Sequence, residues 1–313
     1  MWPARTVPRM LSLLALLVAC GACGGGVTTT TRARTPRTHA PERVRAAPPH
    51  PSAPQPVDPK VFNPGACVAF PPTGPTRDLT VFLDAGHGGV DPGAVGRTLS
   101  GRTIHEADLT LTVELDTLTI LRREGFRVVV SRTREESVAR LGPGDATGGA
   151  LTAHASHRDV AARDVCANDA HANALIGIYF DGGAPNAAGC LTGYDAVRPF
   201  AAANLRLATL VQRDVLAALN TQGWGIPDDG VVSDSYLGSA VNSQAVAYGH
   251  LVLLGPAKPG YLPTPSHMPG ALVEPLFITD PFEGSIAASA RGQRVIAGGL
   301  ARAIGQYFAP RRG

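Results

Sequence analysis

From residue 79 onward the chain alternates short apolar runs with longer amphipathic segments, and this alternation restricts the fold more than any other feature. Residues 79–83, Leu-Thr-Val-Phe-Leu, are typical of a buried strand. Residues 106–123 place leucines at helical spacing, Gly125 is typical of a helix end, and residues 127–131 predict the next strand. This order predicts an α/β fold: a single domain with a mostly parallel or mixed sheet flanked by helices on both faces.

The later segments continue the same pattern. They predict helices and strands in this order: a helix in 160–172, a strand at 175–179, a helix at 202–220, strands at 251–254 and 271–277, and a helix at 285–308. The segment 182–200 is expected to be a long loop. Functional groups gather at the carboxyl ends of strands in such sheets, so the residues that follow each strand are the place to search for a site.

The first twenty residues are typical of an export signal. Two arginines precede an apolar run at 10–19, which is shorter than the ~20 residues that span a bilayer. The run ends in Leu-Val-Ala-Cys, which resembles the site at which bacterial lipoproteins are cleaved and acylated on cysteine. We therefore expect residues 1–20 to be a lipoprotein signal peptide, with lipidation at Cys20. The alternative is an ordinary signal peptide that ends near a cysteine.

Residues 21–77 are rich in proline, threonine and arginine and lack the apolar residues that offset the entropy of ordering. We expect them to be a disordered linker, and residues 78–310 to be the folded domain. Residues 1–77 carry a net charge of +7, whereas the whole chain carries +3, so residues 78–313 carry −4. A mildly acidic domain argues against a nucleic-acid partner, which usually requires a basic surface on the folded part.

Export would place the remaining cysteines in an oxidising compartment. Cys67, Cys166 and Cys190 lie in the body of the chain, and three cysteines allow one disulfide with one thiol left over. The sequence does not determine which two form the pair. None of the three belongs to a Cys-x-x-Cys motif, which argues against a zinc–thiolate site.

A histidine enclosed by glycines follows the first predicted strand. Residues 84–96 read Asp-Ala-Gly-His-Gly-Gly-Val-Asp-Pro-Gly-Ala-Val-Gly, with the histidine at position 87. Glycines permit tight turns and the close approach of a ligand. Glu106 begins the next predicted helix, where the helix dipole favours a carboxylate. His105 and Glu106 do not begin a His-Glu-x-x-His metal motif, because position 109 is leucine.

These residues resemble a known family. Residues 84–96 are similar to the opening motif of the type-three, zinc-dependent N-acetylmuramoyl-L-alanine amidases, which are peptidoglycan hydrolases. Glu106 lies where this family has its second zinc ligand, and residues 163–181 resemble the segment that leads to the third ligand. Val273-Glu274 resembles the late strand with the catalytic glutamate. The resemblance extends over residues 78–308 with the motifs in the family's order.

The resemblance implies a function and a cofactor. The chain would cleave the amide between N-acetylmuramic acid and L-alanine of the peptidoglycan stem peptide, with Zn²⁺ bound by His87 and Glu106. Zinc would polarise the amide carbonyl and lower the pKa of a bound water to ~7. Glu274 would take the proton of that water and pass it to the departing amine.

The export signal implies a location, and the resemblance implies partners. We expect an exported cell-membrane lipoprotein that faces the cell wall or periplasm. Its expected partners are peptidoglycan and, through the lipid anchor, the membrane. No nucleic-acid partner is expected. We expect a monomer.

The chain departs from the family at the third zinc ligand. An ungapped alignment of residues 163–181 places tyrosine, Tyr179, where the family has histidine. A neutral phenol with a pKa of ~10 is a poor zinc ligand unless the metal deprotonates it. Asp181 is an alternative ligand, because it is expected on the same face of the strand. Weaker candidates are His105, His250 and His267.

Two other functions remain open from the sequence. A catalytically silent protein with the amidase fold could bind peptidoglycan or regulate another wall hydrolase. A zinc peptidase could cut within the stem peptide. The sequence lacks the Gly-x-Ser-x-Gly turn of serine hydrolases, which argues against serine chemistry. It also lacks a Gly-x-x-x-x-Gly-Lys loop, which argues against a nucleotide-phosphate site of that type.

Overall fold

The computed structural model describes residues 53–237 and 243–310. The expected signal peptide, Cys20 and the first part of the expected linker lie outside the described residues. The strands are β1 Gln55–Pro56, β2 Ala66–Phe70, β3 Thr80–Ala85, β4 Val95–Arg97, β5 Thr103–His105, β6 Arg127–Arg132, β7 Ala146–Thr147, β8 Ala150–Leu151, β9 Ala174–Ile178, β10 Cys190–Tyr194, β11 Asp228–Ser233 and β12 Gly270–Glu274. The helices are α1 Glu106–Arg123, α2 Ala153–Asp169, α3 Ala201–Asn220, α4 Ser243–Tyr248, α5 Pro281–Ala287 and α6 Ala290–Tyr307. None of the helices in these two stretches is both long and apolar enough to cross a bilayer.

Eight of these strands form one mixed sheet, in the order β1-β2-β6-β3-β9-β12-β10-β11. The neighbours β6, β3, β9 and β12 run parallel, so their carboxyl ends share one edge. Strand β10 runs antiparallel to β12, and β11 runs parallel to β10. The carboxyl ends of β10 and β11 therefore lie at the opposite edge of the sheet.

The sheet separates two hydrophobic cores. Successive side chains of a strand point to opposite faces, so Val81 and Leu83 of β3 belong to one core and Phe82 to the other. The first core also contains apolar residues of α1, α3 and α6, and the second contains those of α2 and of residues 251–254. Helices on both faces of a mixed sheet confirm the predicted fold class.

Most elements lie close to where the sequence predicts them, although α2 begins earlier than predicted, at Ala153, β12 ends earlier, at Glu274, and β11 is not predicted. Residues 251–254 form a turn instead of a strand, and Leu253 and Leu254 are buried in the second core. A short apolar run can pack against a sheet as a turn or as a strand, so its composition alone does not distinguish the two. The final helix is divided into α5 and α6, and the Ser289 side chain caps the second. The expected loop at 182–200 contains the inner strand β10, which the sequence does not predict.

The folded domain also begins earlier than expected. Strand β2 lies within the predicted linker, yet it is largely buried and pairs with β6 in an antiparallel ladder. Phe62, from the same segment, is 1% exposed. The linker boundary at residue 77 is therefore wrong. A short apolar strand between prolines is enough to extend the folded domain when it can pair with a strand of the existing sheet.

A disulfide holds this edge of the sheet against the neighbouring helix. Cys67 of β2 is bonded to Cys166 of α2 across a sequence separation of 99 residues. Cys190 is free and buried in β10. The structure thus selects one of the pairings that the sequence leaves open, and a bridge of this kind fits an oxidising compartment.

Candidate active site

Two buried arginines fix the backbone at the carboxyl end of β3. Arg163 of α2 donates to the carbonyl oxygens of Ala85 and His87, at 2.6 and 2.7 Å. Arg132 of β6 donates to the carbonyl oxygens of Ala85 and Gly86, at 3.2 and 3.1 Å. Buried carbonyls need hydrogen-bond donors, and the two guanidinium groups supply them where the chain leaves the sheet.

Carboxylates compensate the charge of Arg163. Asp84 of β3 lies 2.5 Å from its guanidinium, and Asp159 of the same helix lies at 2.8 Å. Burial alone would lower the pKa of Arg163, but the two carboxylates outweigh burial and raise that pKa well above its usual value. The group is an ion cluster with negligible exposure, so every member depends on the others for its charge balance.

His87 lies between two carboxylates. Its Nδ1 is 2.9 Å from Asp91 Oδ2, and its Nε2 is 3.1 Å from Glu106 Oε1. The backbone of His87 is left-handed, with φ +63°, a strained conformation that clusters at functional sites. Gly93 has φ +66°, and a Cβ there would lie 2.6 Å from Glu106 Oε2 and from the His87 ring, so only glycine fits beside this pair.

Glu106 is held by backbone donors as well as by His87. Its Oε1 accepts from the backbone N–H of Phe180 at 2.9 Å, and its Oε2 accepts from that of Ala94 at 2.8 Å. Burial alone would lower the pKa of His87, but Glu106 and Asp91 outweigh burial and raise it to about 10. The imidazole is therefore protonated at neutral pH in this arrangement.

Tyr179 occupies the position predicted for a third zinc ligand. Its ring meets the His87 ring edge-on, with centroids 5.4 Å apart, and its hydroxyl donates to Asp84 Oδ2 at 3.2 Å. Burial and the Asp84 charge raise the pKa of Tyr179 well above its usual value, so the phenol is neutral. A Cβ on Gly86 would lie 2.4 Å from the ring, which makes that glycine necessary for Tyr179 to lie here.

Asp181 and Glu274 form a second acidic pair. Glu274 is the last residue of β12, and its side chain is hydrogen-bonded to that of Asp181, which follows β9. Burial and the Asp181 charge raise the pKa of Glu274 to about 9, and burial also raises the pKa of Asp181. A hydrogen bond between two carboxyl groups requires a proton, so the pair holds one proton at neutral pH.

One cavity of about 580 Å³ joins these groups. Its polar lining includes His87, Glu106, Tyr179, Asp181 and Glu274. Apolar side chains form much of the remaining wall, among them Leu237, Leu251, Leu253 and Leu272. The carboxyl ends of β3, β9 and β12 thus bring together all the site residues that the sequence predicts within the described part of the domain.

The three weaker candidate ligands lie elsewhere. His105 is exposed at the end of β5, where it precedes α1. His267 is exposed, and its backbone N–H donates to Asn168. His250 contacts Asp195 and Asp234 at the opposite edge of the sheet.

We tested whether the residues present fit the zinc that the resemblance implies. His87 and Glu106 offer two converging donor atoms. Over residues 53–237 and 243–310, no further His, Cys, Asp or Glu completes a group with these two in which all donor atoms lie within 4.8 Å of one another. Catalytic zinc usually takes three protein ligands, and the Tyr179 hydroxyl is neutral and bonded to Asp84. The residues therefore do not fit a three-ligand zinc site.

Comparison with known proteins identifies the family. Residues 81–306 match the sequence profile described as N-acetylmuramoyl-L-alanine amidase. The chain belongs to this family. It is also 26% identical over 241 residues to the uncharacterized protein YqiI of Bacillus subtilis, an alignment that covers 75% of this chain and 87% of that one.

Solved structures of the family share the fold. The CwlD amidase from Clostridioides difficile, solved in complex with the GerS lipoprotein, has a TM-score of 0.55 and 19% identity, and the match covers 74% of this chain and 98% of that one. An N-acetylmuramoyl-L-alanine amidase from Clostridium difficile 630 has a TM-score of 0.50 and 24% identity, with 74% and 97% covered. At these identities the likeness is one of fold.

The sequence analysis missed the groups that support the site, namely Arg132, Arg163, Asp84 and Asp159. One signal was available in α2, where Asp159 and Arg163 are four residues apart and therefore on one face of the helix. Both are buried there, which is rare for charged residues unless they are paired.

Substitution of Arg163 tests the ion cluster. Arg163→Met should lower the free energy of unfolding by about 3–5 kcal/mol, because it leaves Asp84 and Asp159 buried without their cation. The matched control is Arg134→Met, whose side chain is 60% exposed in a pair with Glu136 and should leave the free energy of unfolding nearly unchanged, because solvent screens the pair. Urea unfolding of the two variants measures both free energies of unfolding. Equal losses in the two variants would show that the buried ion cluster contributes no more than the exposed pair.

Substitution of Tyr179 tests the position of the third ligand. Tyr179→His should tighten zinc binding roughly tenfold or more, which corresponds to about 1.4 kcal/mol or more of binding free energy, because it adds a ligand beside His87 and Glu106. Tyr179→Phe is the control, since it keeps the ring but adds no donor. Competition with a chelator of known affinity measures both, and identical zinc affinities would show that position 179 is not the ligand position.

Proposed function

We propose that the chain hydrolyses peptidoglycan at the amide between N-acetylmuramic acid and L-alanine of the stem peptide. The observation that carries this proposal is that Glu274 and the His87–Glu106 pair line a single cavity. The cavity is within the size range of pockets that bind small molecules. Membership of the amidase family supports the same reaction.

The residues present can perform two parts of the reaction. The Asp181–Glu274 pair holds one proton, so its ionised carboxylate can accept a proton from the attacking water. Its shared proton can pass to the amine nitrogen as the C–N bond breaks.

The requirement for zinc is a separate question for experiment. The family resemblance implies Zn²⁺, whereas the site offers two ligands in place of three. We infer that zinc binds here more weakly than at a three-ligand site, so activity with added zinc and with chelator must be compared.

A second function is favoured by Tyr179. A neutral phenol bonded to Asp84 occupies the third-ligand position, and loss of a ligand is the change expected in a protein that has lost catalysis. Such a protein could bind peptidoglycan or regulate another wall hydrolase through the same cavity. This alternative predicts binding without cleavage.

Mass spectrometry of peptidoglycan fragments incubated with the full chain tests the first proposal. We expect stem peptides with a free L-alanine amine, at a rate that Glu274→Gln reduces by about 10²- to 10⁴-fold because it removes the acid–base group. Asp108→Asn, an exposed carboxylate change on α1, is the control and should retain the wild-type rate.

Other outcomes separate the alternatives. Cuts between amino acids of the stem peptide would identify a peptidase. Intact fragments in every condition, with or without zinc, would contradict the amidase proposal. Co-sedimentation of the folded chain with insoluble peptidoglycan would then support the binding function.

We also propose that the protein is an exported lipoprotein anchored through Cys20, acting on the cell wall as a monomer. The apolar run before Cys20 supports export, as does the Cys67–Cys166 disulfide, since such bonds persist in oxidising compartments. Metabolic labelling with a palmitate analogue in a bacterial host should mark the wild-type chain and not Cys20→Ala. Equal labelling of both would contradict the anchor.

A further inference from the structure

Three potential ligands meet at the edge of the sheet opposite Glu274. Asp195 directly follows β10 and Asp234 directly follows β11, two parallel neighbours whose last residues are paired, so the two carboxylates lie side by side. Nδ1 of His250 lies 3.1 Å from Asp195 Oδ2 and 3.2 Å from Asp234 Oδ1. Over residues 53–237 and 243–310, these three side chains form the one group of at least three His, Cys, Asp or Glu residues whose donor atoms all lie within 4.8 Å of one another.

Backbone donors fix both carboxylates. Asp195 Oδ1 accepts from the N–H groups of Val197 and Arg198, each at 2.8 Å. Asp234 Oδ2 accepts from the N–H of Leu251 at 3.1 Å. One oxygen of each carboxylate is therefore committed to the backbone, and the other is oriented toward His250.

The imidazole cannot satisfy both carboxylates. Asp195 and Asp234 are 0% exposed, and Nδ1 carries at most one proton for two acceptors. Asp195 Oδ2 has no hydrogen bond of acceptable geometry, despite its short distance to Nδ1. The nearby Arg198 guanidinium donates instead to the carbonyl oxygens of Gly255 and Ser266. A buried carboxylate oxygen without a donor is costly, and a bound cation would remove that cost.

We propose that Asp195, Asp234 and His250 bind a divalent cation of the zinc type. Tetrahedral zinc with bonds of about 2.0–2.1 Å places its donor atoms about 3.3–3.4 Å apart, close to the distances seen here. One imidazole nitrogen with two carboxylates suits zinc or manganese better than calcium, which takes six to eight oxygens. The His250 side chain is 18% exposed, so the site is not fully enclosed by the fold.

This site is separate from the proposed catalytic groups but connected to the cavity wall. Asp234 and His250 stand at the two ends of residues 234–250. Leu237 and Leu251, three residues after the first ligand and one after the second, both line the cavity. A cation here would hold Asp234 and His250 to Asp195 and so fix the positions of Leu237 and Leu251 in the wall. The inference does not depend on the proposed reaction.

Zinc titration of the full chain tests the site, with manganese as a second probe. We expect His250→Gln to weaken zinc binding at this site by about tenfold or more, since loss of even an outer-shell partner can cost that much. His87→Gln is the control: it removes the histidine of the catalytic cavity and should leave this binding event unchanged. Isothermal titration gives affinity and stoichiometry for both.

Anomalous scattering at the zinc edge, from crystals of the unsubstituted chain soaked in zinc, provides a test that does not depend on the folding of a variant. A peak between Asp195, Asp234 and His250 is expected. Zinc binding that His87→Gln abolishes and His250→Gln leaves intact would overturn the proposal, as would zinc-soaked crystals without a peak at these residues.

Discussion

The contact between the Arg163 guanidinium and the Asp84 carboxylate is the interaction on which the rest of the site depends. Arg163 belongs to α2 and Asp84 to β3, so the ion pair sets the position of the helix against the sheet. The same guanidinium holds two carbonyl oxygens at the end of β3. That backbone carries His87, and it places the imidazole against Glu106. Burial of the Arg163 charge is unfavourable by itself, but the buried guanidinium orders the backbone that carries His87.

Much of this fold could be predicted from local patterns. The helix at 106–123 was predicted with its exact bounds, because its leucines repeat at helical spacing and a glycine follows its end. The loop between β3 and α1 was predicted as the site because glycines surround His87. Strands β2, β10 and β11 were missed, because β10 and β11 mix polar residues and glycine with apolar ones, and β2 lies in a proline-rich stretch that is typical of a linker. The hydrogen bond between Asp181 and Glu274 was also missed, because it joins the ends of two strands distant in sequence.

Tyr179 connects the cavity to the buried ion cluster around Arg163. Asp84 accepts from both Arg163 and the Tyr179 hydroxyl, so the phenol is part of the buried ion cluster as well as of the cavity. A residue bound in this way stabilises the base of the site. The same bond commits the hydroxyl to Asp84, so its oxygen is a poor donor for a metal.

The disulfide between β2 and α2 has a mechanical consequence. If the chain is tethered through its N-terminal segment, tension enters the described domain at β1 and reaches β2 next. The covalent bond from Cys67 to Cys166 passes that load directly into α2, the helix that carries Arg163. The pairs of β2 with β6 that follow Cys67, from Val68 to Phe70, are then relieved of the force. A domain attached in this way could bear tension without separation of this part of β2 from β6.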